Sequence, residues 1–184
     1  MSIDLPAVPS IEYRPAVPYA SVTRDGITPA TFPEIADRIP EIIGWLRERG
    51  LAPAGAPFLK YDVIGPGDTF RVQAGVPLPS PVEDDGEIVS ATLPAGGYVA
   101  CLHTGHPDRL AEVAQAVVAW GTAQGLTWDR TESGGTVRWA AYLETFLTHP
   151  KEVPDPGKWV TEVALKLADG LPRGADGGTA EPVG

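Results

Sequence analysis

The stretch Trp139-Ala-Ala-Tyr142-Leu-Glu144-Thr-Phe146-Leu-Thr-His-Pro150 sets one carboxylate between aromatic side chains. Read as a strand, its side chains alternate, so Ala140, Tyr142, Glu144 and Phe146 share one face, and Trp139, Ala141, Leu143, Thr145 and Leu147 share the other. The second face is mostly apolar, so both sides are expected to be covered and Glu144 to be enclosed. An enclosed carboxylate protonates, takes a partner, or meets a cation brought from outside. Ring faces attract positive charge by about 0.5 to 2 kcal/mol each, which makes the third outcome a site for an organic cation. The second outcome is a structural network pairing Glu144 with Lys60, Arg138 or a tyrosine hydroxyl, and the residues alone leave both open.

Other chemistry finds less support. The single cysteine, Cys101, precludes an internal disulfide, and its apolar surroundings point to core packing. His103, His106 and His149, without a second cysteine, do not have the spacing of a zinc site, so neither metal nor cofactor is expected. His103 reads as a satisfied histidine at a strand end. Gly65-Pro-Gly67 and Gly96-Gly97 read as turns, not phosphate loops. With 24 acidic against 14 basic side chains, the net charge of −10 repels a phosphate backbone, so direct nucleic-acid binding is not expected. The chain has neither an apolar run of about 18 residues nor a leader pattern, from which no membrane association and a cytoplasmic location are expected.

The elements that position these groups follow from periodicity and punctuation. Residues 1–10 read as an extended start, with strand pieces at Ile11 to Arg14 and Tyr19 to Arg24 broken at Pro15. Ile35, Ile39, Ile42, Ile43 and Leu46 recur at a helical period, predicting a helix from Phe32 to Arg49 with Thr31 as N-cap, Gly50 at its stop and a kink or an interruption at Pro40. Strands are predicted at 58–64, 70–76, 87–93, 98–104, 136–147 and 159–167, and a second helix from Pro107 to Gln124 ends at Gly125. Residues 11–169 form one domain on this reading. The Gly-, Pro- and Ala-rich residues 170–184 form a disordered tail.

A duplication underlies that order. An offset of 75 residues places Ile42-Ile43-Gly44-Trp45 on Val117-Val118-Ala119-Trp120 and Gly50-Leu51 on Gly125-Leu126, while Tyr19 to Gly26 follows Tyr98 to Gly105 at 79. Pseudo-repeats of about 11–80 and 87–169 each read strand, helix, strand, strand. The expected fold is α+β, with antiparallel sheets, helices on one face and a cleft between the halves, to which Tyr61 comes as the counterpart of Tyr142. Trp45 and Trp120 lie on the repeated helices and read as packing residues.

Five segments in order, Gly55-Ala-Pro-Phe58-Leu-Lys-Tyr61, Phe70-Arg-Val-Gln-Ala-Gly75-Val-Pro77, Leu93-Pro-Ala-Gly96-Gly97-Tyr98 with His103-Thr-Gly105, Tyr142 to Pro150, and Pro156-Gly-Lys-Trp159-Val-Thr161-Glu162, resemble the GyrI-like small-molecule-binding domains. That family includes effector-binding domains of AraC-type and MerR-type multidrug regulators. The resemblance implies a pair of strand-helix-strand-strand (SHS2) units. It further implies an aromatic cavity in which the glutamate matching Glu144 meets the positive charge of a ligand. Tyr61, Tyr142, Phe146 and Trp159 are the expected lining. Few residues precede the first strand, so the chain reads as a stand-alone sensor-like domain that binds hydrophobic, often cationic aromatic molecules. Two alternatives come with the resemblance. One is a hydrolase opening strained cyclopropane-type electrophiles with Glu144 and Glu162. The other is a protein-interaction role such as gyrase protection.

Overall fold

The computed structural model describes residues 7–169, so the expected tail at 170–184 and most of the expected extended start lie outside the described residues. The elements are β1 Ser10–Arg14, β2 Val17–Ile27, α1 Phe32–Ala36, α2 Arg38–Glu48, β3 Phe58–Gly65, β4 Thr69–Pro77, β5 Val89–Leu93, β6 Gly96–Thr104, α3 Leu110–Ala123, β7 Arg130–Ser133, β8 Thr136–Trp139, β9 Tyr142–Phe146 and β10 Val160–Lys166. All strands join one antiparallel sheet in the order β1-β6-β10-β9-β3-β4-β2-β5, with the β7–β8 hairpin paired to the far end of β3. Only Pro15 and Ala16 separate β1 from β2, and only Pro94 and Ala95 separate β5 from β6, yet the strands so joined lie near opposite ends of the order. The sheet therefore curls until its ends approach, as a half-barrel.

The helices cover one face. There Ile35, Ile42, Leu46, Val113 and Val117 pack on Val72, Val76, Val99 and Leu165 in the main core. The opposite face has its own smaller core of Tyr19, Phe58, Tyr98, Leu143 and Ala164. α1 and α2 lie against β2 and β4, and α3 lies against β6 and β10, which leaves the central pair β3 and β9 beneath the gap between them. Both helices stop in the same way. Gly50 (φ 67°) and Gly125 (φ 78°) turn the chain into the left-handed region, and the next residue's N–H returns to a helix carbonyl: Leu51 to Leu46 at 2.9 Å and Leu126 to Gly121 at 3.0 Å.

Two local expectations are corrected, and the interruption expected at Pro40 is found. The first helix divides at Asp37, because Pro40 has no N–H to give the Ala36 carbonyl and its ring crowds that oxygen. α1 starts at Phe32 with Thr31 at the N-cap position, as expected, although the Thr31 side chain makes no capping hydrogen bond; a short 3₁₀ turn over Pro29–Thr31 precedes it, and the Thr28 N–H donates to Thr31 Oγ1 at 2.9 Å. The predicted strand 136–147 bends at Ala140 and Ala141, dividing into β8 and β9. The bend turns Trp139 onto the face of Tyr142, with ring centroids 6.0 Å apart, and away from Leu143. β7 was not expected, since Arg130-Thr-Glu-Ser has no apolar alternation.

The duplication is visible in the register. Across the middle of the sheet runs the row Val22, Ala74, Leu59, Glu144, Val163, Cys101, each paired with the next and all on the helix-covered face. The row is two-fold about the point between Leu59 and Glu144. Matching the halves through it makes Tyr61, paired with Val72, the counterpart of Phe146, paired with Thr161. Tyr61 is therefore not the repeat counterpart of Tyr142; the two are neighbours across the seam. The outermost strands are exchanged, β1 pairing with β6 of the second half and β5 with β2 of the first.

Candidate ligand-binding site

β3 and β9 meet in antiparallel register, Leu59 opposite Glu144 and Lys60 opposite Leu143, so Tyr61 and Tyr142 come side by side on the helix-covered face. Their rings stack at 4.6 Å with 28° between planes. Further rings continue from both ends of this stack. Phe32 and Phe70 lie 5.9 and 5.8 Å from Tyr61 and 5.9 Å from each other, while Trp139 and then Trp128 extend the chain beyond Tyr142. Phe32, Phe70, Trp128 and Trp139 were not anticipated as part of this cluster. They come from α1, β4, the connection between α3 and β7, and β8, and only tertiary closure brings them to Tyr61 and Tyr142.

Glu144 sits at the foot of the stack, 5% exposed. The Tyr61 hydroxyl donates to its Oε2 at 3.0 Å. Among the described residues no Lys, Arg or His forms an ion pair with it: Lys60 pairs with Asp62 and Arg138 pairs with no acid, so of the expected internal partners only tyrosine is found. Burial pushes the Glu144 carboxyl up to about 7, and hydrogen bonds from Tyr61 and Tyr142 partly offset that rise. Both tyrosine hydroxyls are raised well above their ordinary value, first by burial and next by the nearby carboxylate. The result is a carboxyl poised between its neutral and charged forms near pH 7. Its charge is held by two hydroxyls and by no cation.

The remaining expected site residues divide. Phe146 is half-buried against the main core, two residues beyond Glu144 on the same face. Trp159 lies just before β10; its indole N–H donates to the Val153 carbonyl at 2.6 Å, and it makes no ring pair among the described residues. Glu162 pairs in register with Thr145, one residue out of step with Glu144 and Val163, so it projects from the opposite face. There Arg14 holds it at 2.8 Å. The structure thus does not bring Glu162 to Glu144. That opposite face also carries Lys60 with Asp62, Gln73 bonded to Asp62 at 2.6 Å, and the Tyr19 hydroxyl donating to Gln73 at 2.7 Å, a network satisfied within itself. Cys101 is buried beneath Ala7, whose carbonyl lies 3.4 Å from its sulfur, and burial raises the thiol. His103, expected to be satisfied, is satisfied at only one nitrogen.

Two open concavities of about 540 and 420 Å³ lie elsewhere, the first around Trp45, Arg49 and Asp85, the second around Asp25, Arg71 and Arg138. Glu144 lines neither. No helix among the described residues is long and apolar enough to cross a membrane.

Comparison with known proteins agrees with this geometry. The sequence matches the GyrI-like small molecule binding domain over residues 7–168. The fold is similar to the C-terminal domain of EcmrR, with a TM-score of 0.71 and 17% identity over 88% of this chain and 97% of that one. Against EcmrR in its DNA complex the chain spans 57% of the other protein's length. It is also similar to a hydrolase from Listeria innocua (TM-score 0.60, 15% identity, 87% and 91% covered) and to SAV2435 bound to tetraphenylphosphonium (TM-score 0.54, 10% identity, 89% and 95% covered). No curated protein sequence matches the chain. The chain belongs to the GyrI-like small-molecule-binding family.

Proposed function

We propose that this GyrI-like chain binds hydrophobic, often cationic aromatic molecules of varied structure at the seam between its halves, for sensing or sequestration. The observation that carries the reading is Glu144, a buried carboxyl near neutrality held by the hydroxyls of two stacked tyrosines, with no internal cation among the described residues. Leaving a carboxylate unpaired in such a place is costly, so the empty site spends much of its time protonated near pH 7. A ligand cation displaces that proton and recovers the full Coulomb attraction in a low-dielectric setting. Rings are weakly directional partners, so ligands that differ in outline can share Tyr61, Tyr142 and Phe146 while each places its charge over Glu144. SAV2435, similar in fold, is a protein seen with a lipophilic phosphonium cation.

Titration with the fluorescent cation rhodamine 6G and with a neutral polycyclic aromatic tests the reading. Glu144→Gln is expected to weaken the cation by roughly 100-fold and to leave the neutral ligand within about twofold. Cation affinity is expected to climb about tenfold per pH unit up to about 7 and to level off above it, because below that value binding must expel a proton. Cation binding that ignores both Glu144→Gln and pH would sink the idea.

The same near-neutral carboxyl supports a second reading, in which Glu144 acts as general base toward water attacking a strained electrophile. Turnover that disappears in Glu144→Gln while neutral aromatics still bind distinguishes it from binding alone.

A further inference from the structure

His103 is 6% exposed, and its Nδ1 is the one fully buried side-chain nitrogen or oxygen without a hydrogen-bond partner among the described residues. Its other nitrogen fixes the tautomer. Nε2 lies 3.2 Å from the His106 carbonyl oxygen, which can only accept, so in the neutral ring Nε2 carries the hydrogen and Nδ1 presents a bare lone pair. A buried acceptor without a donor is costly to keep, and native structures rarely keep one without a use.

Its place in the sheet suggests the use. His103 pairs with Thr161, and Thr161 with Phe146, forming the row next to the one that holds Cys101, Val163 and Glu144, on the same helix-covered face. Two strand spacings across and two residues along separate His103 from Glu144, roughly 12 Å between α-carbons, the span of a small fused ring system. The two halves also differ here. In the first, Phe32 packs against both Tyr61 and Phe70 and closes the ring cluster. In the second, the short 3₁₀ turn over Pro107–Arg109 leads into α3 as Pro29–Thr31 leads into α1, which sets the aliphatic Leu110 at the place of Phe32, and neither Phe146 nor Trp159 has a ring partner among the described residues. The second half lacks the ring closure of the first, and the unpaired acceptor lies on its side.

We propose that His103 is the second polar anchor of this site: its Nδ1 accepts a hydrogen bond from an N–H or O–H group of the ligand, while Glu144 meets the ligand's positive charge. The inference rests on the binding function proposed above and narrows it. Aromatic cations that carry a hydrogen-bond donor about one ring away from the charge are the favoured class, and the ligand lies toward Phe146 and Thr161, away from Phe32.

Two triarylmethyl dyes share a cationic framework and differ at the nitrogens: pararosaniline carries N–H groups and crystal violet is fully N-methylated. Binding of both to the full chain, to His103→Leu and to His103→Asn is the test. The wild type is expected to favour pararosaniline by about tenfold, His103→Leu to abolish that preference, and His103→Asn, whose side-chain oxygen falls near the place of Nδ1, to retain it. A merely structural His103 would weaken both dyes alike, which overturns the proposal. So does a wild type without preference. The imidazole ¹⁵N signal of His103 in the wild type gives a reading independent of any variant's folding: pararosaniline should move the Nδ1 resonance upfield and crystal violet should not. Glu144-dependent binding of crystal violet without any preference between the dyes removes the His103 role alone, whereas failure of both dyes to bind removes the binding function with it.

Discussion

At matching registers of the seam the first half carries Leu59 and Tyr61, and the second carries Glu144 and Phe146. One row further out, Arg24 and Val72 in the first half stand where the second has His103 and Thr161. Arg24 reaches outward to Glu87, whereas His103 is buried. The strand pairing is duplicated and the chemistry is not. In the first half the seam is closed by rings, with one hydroxyl turned toward its neighbour; the second half contributes the carboxyl and the unpaired imidazole nitrogen. A cleft between two like units is thereby polar on one side, which gives a bound ligand one orientation where a symmetric cleft would give two.

The largest expected effect comes from erasing that asymmetry with charge. Leu59→Glu would place two carboxyls opposite each other as direct cross-strand partners, where both cannot ionise. Chemical denaturation at pH 8 should show a loss of about 3 to 5 kcal/mol, shrinking at pH 5 as both carboxyls protonate. An unchanged midpoint at pH 8 would mean the seam is wet and the comparison misjudged.

Next comes a pair of exchanged sizes on the opposite face. Gly75 pairs with Phe58 in the first half at the register where Ala164 pairs with Leu143 in the second. A Cβ on Gly75 would fall inside contact distance of the Phe58 ring. Gly75→Ala should therefore cost about 1 to 3 kcal/mol, and adding Phe58→Leu, the combination already present across the axis, should recover most of it. Absence of rescue in the double variant would show that the halves differ in backbone spacing as well as in side chains.

The smallest effect sharpens the account of the carboxyl. The Tyr61 hydroxyl draws the Glu144 carboxyl down, so Tyr61→Phe should raise it further and move the pH midpoint of cation binding above 7. The accompanying loss of affinity at pH 7 is expected near 1 kcal/mol. A midpoint that stays in place would leave Tyr142 as the hydroxyl that matters.

Much of this arrangement was legible in the residues because its signals are local. The Gly-Leu stops of both helices, the alternation that buries Glu144 and the out-of-step position of Glu162 relative to Val163 and Leu165 all follow from short-range pattern. The pairing of Tyr61 with the wrong counterpart has a definite cause. The offset between halves is 75 in the helices, 79 between β2 and β6, and 85 between β3 and β9, because the β7–β8 hairpin is inserted before β9. A single sliding offset cannot follow such insertions, whereas hydrogen-bond register can. Phe32, Phe70, Trp128 and Trp139 escaped for a different reason: each looks like an ordinary core residue until the sheet curls and brings them together. The bare nitrogen of His103 depends on where the His106 carbonyl points, which no spacing rule encodes.

The point between Leu59 and Glu144, about which the row is two-fold, bears on how such a site could arise. A non-covalent dimer of identical strand-exchanging units would have the same residue on both sides of its axis, two leucines or two glutamates and never one of each. Joining two copies in a single gene releases that constraint, since a substitution then alters one side only. A solitary acid at the centre of a two-fold scaffold thus requires that the two sides be distinct residues of one chain, whereas identical separate subunits would carry their acids in pairs and offer two equivalent ligand sites per dimer.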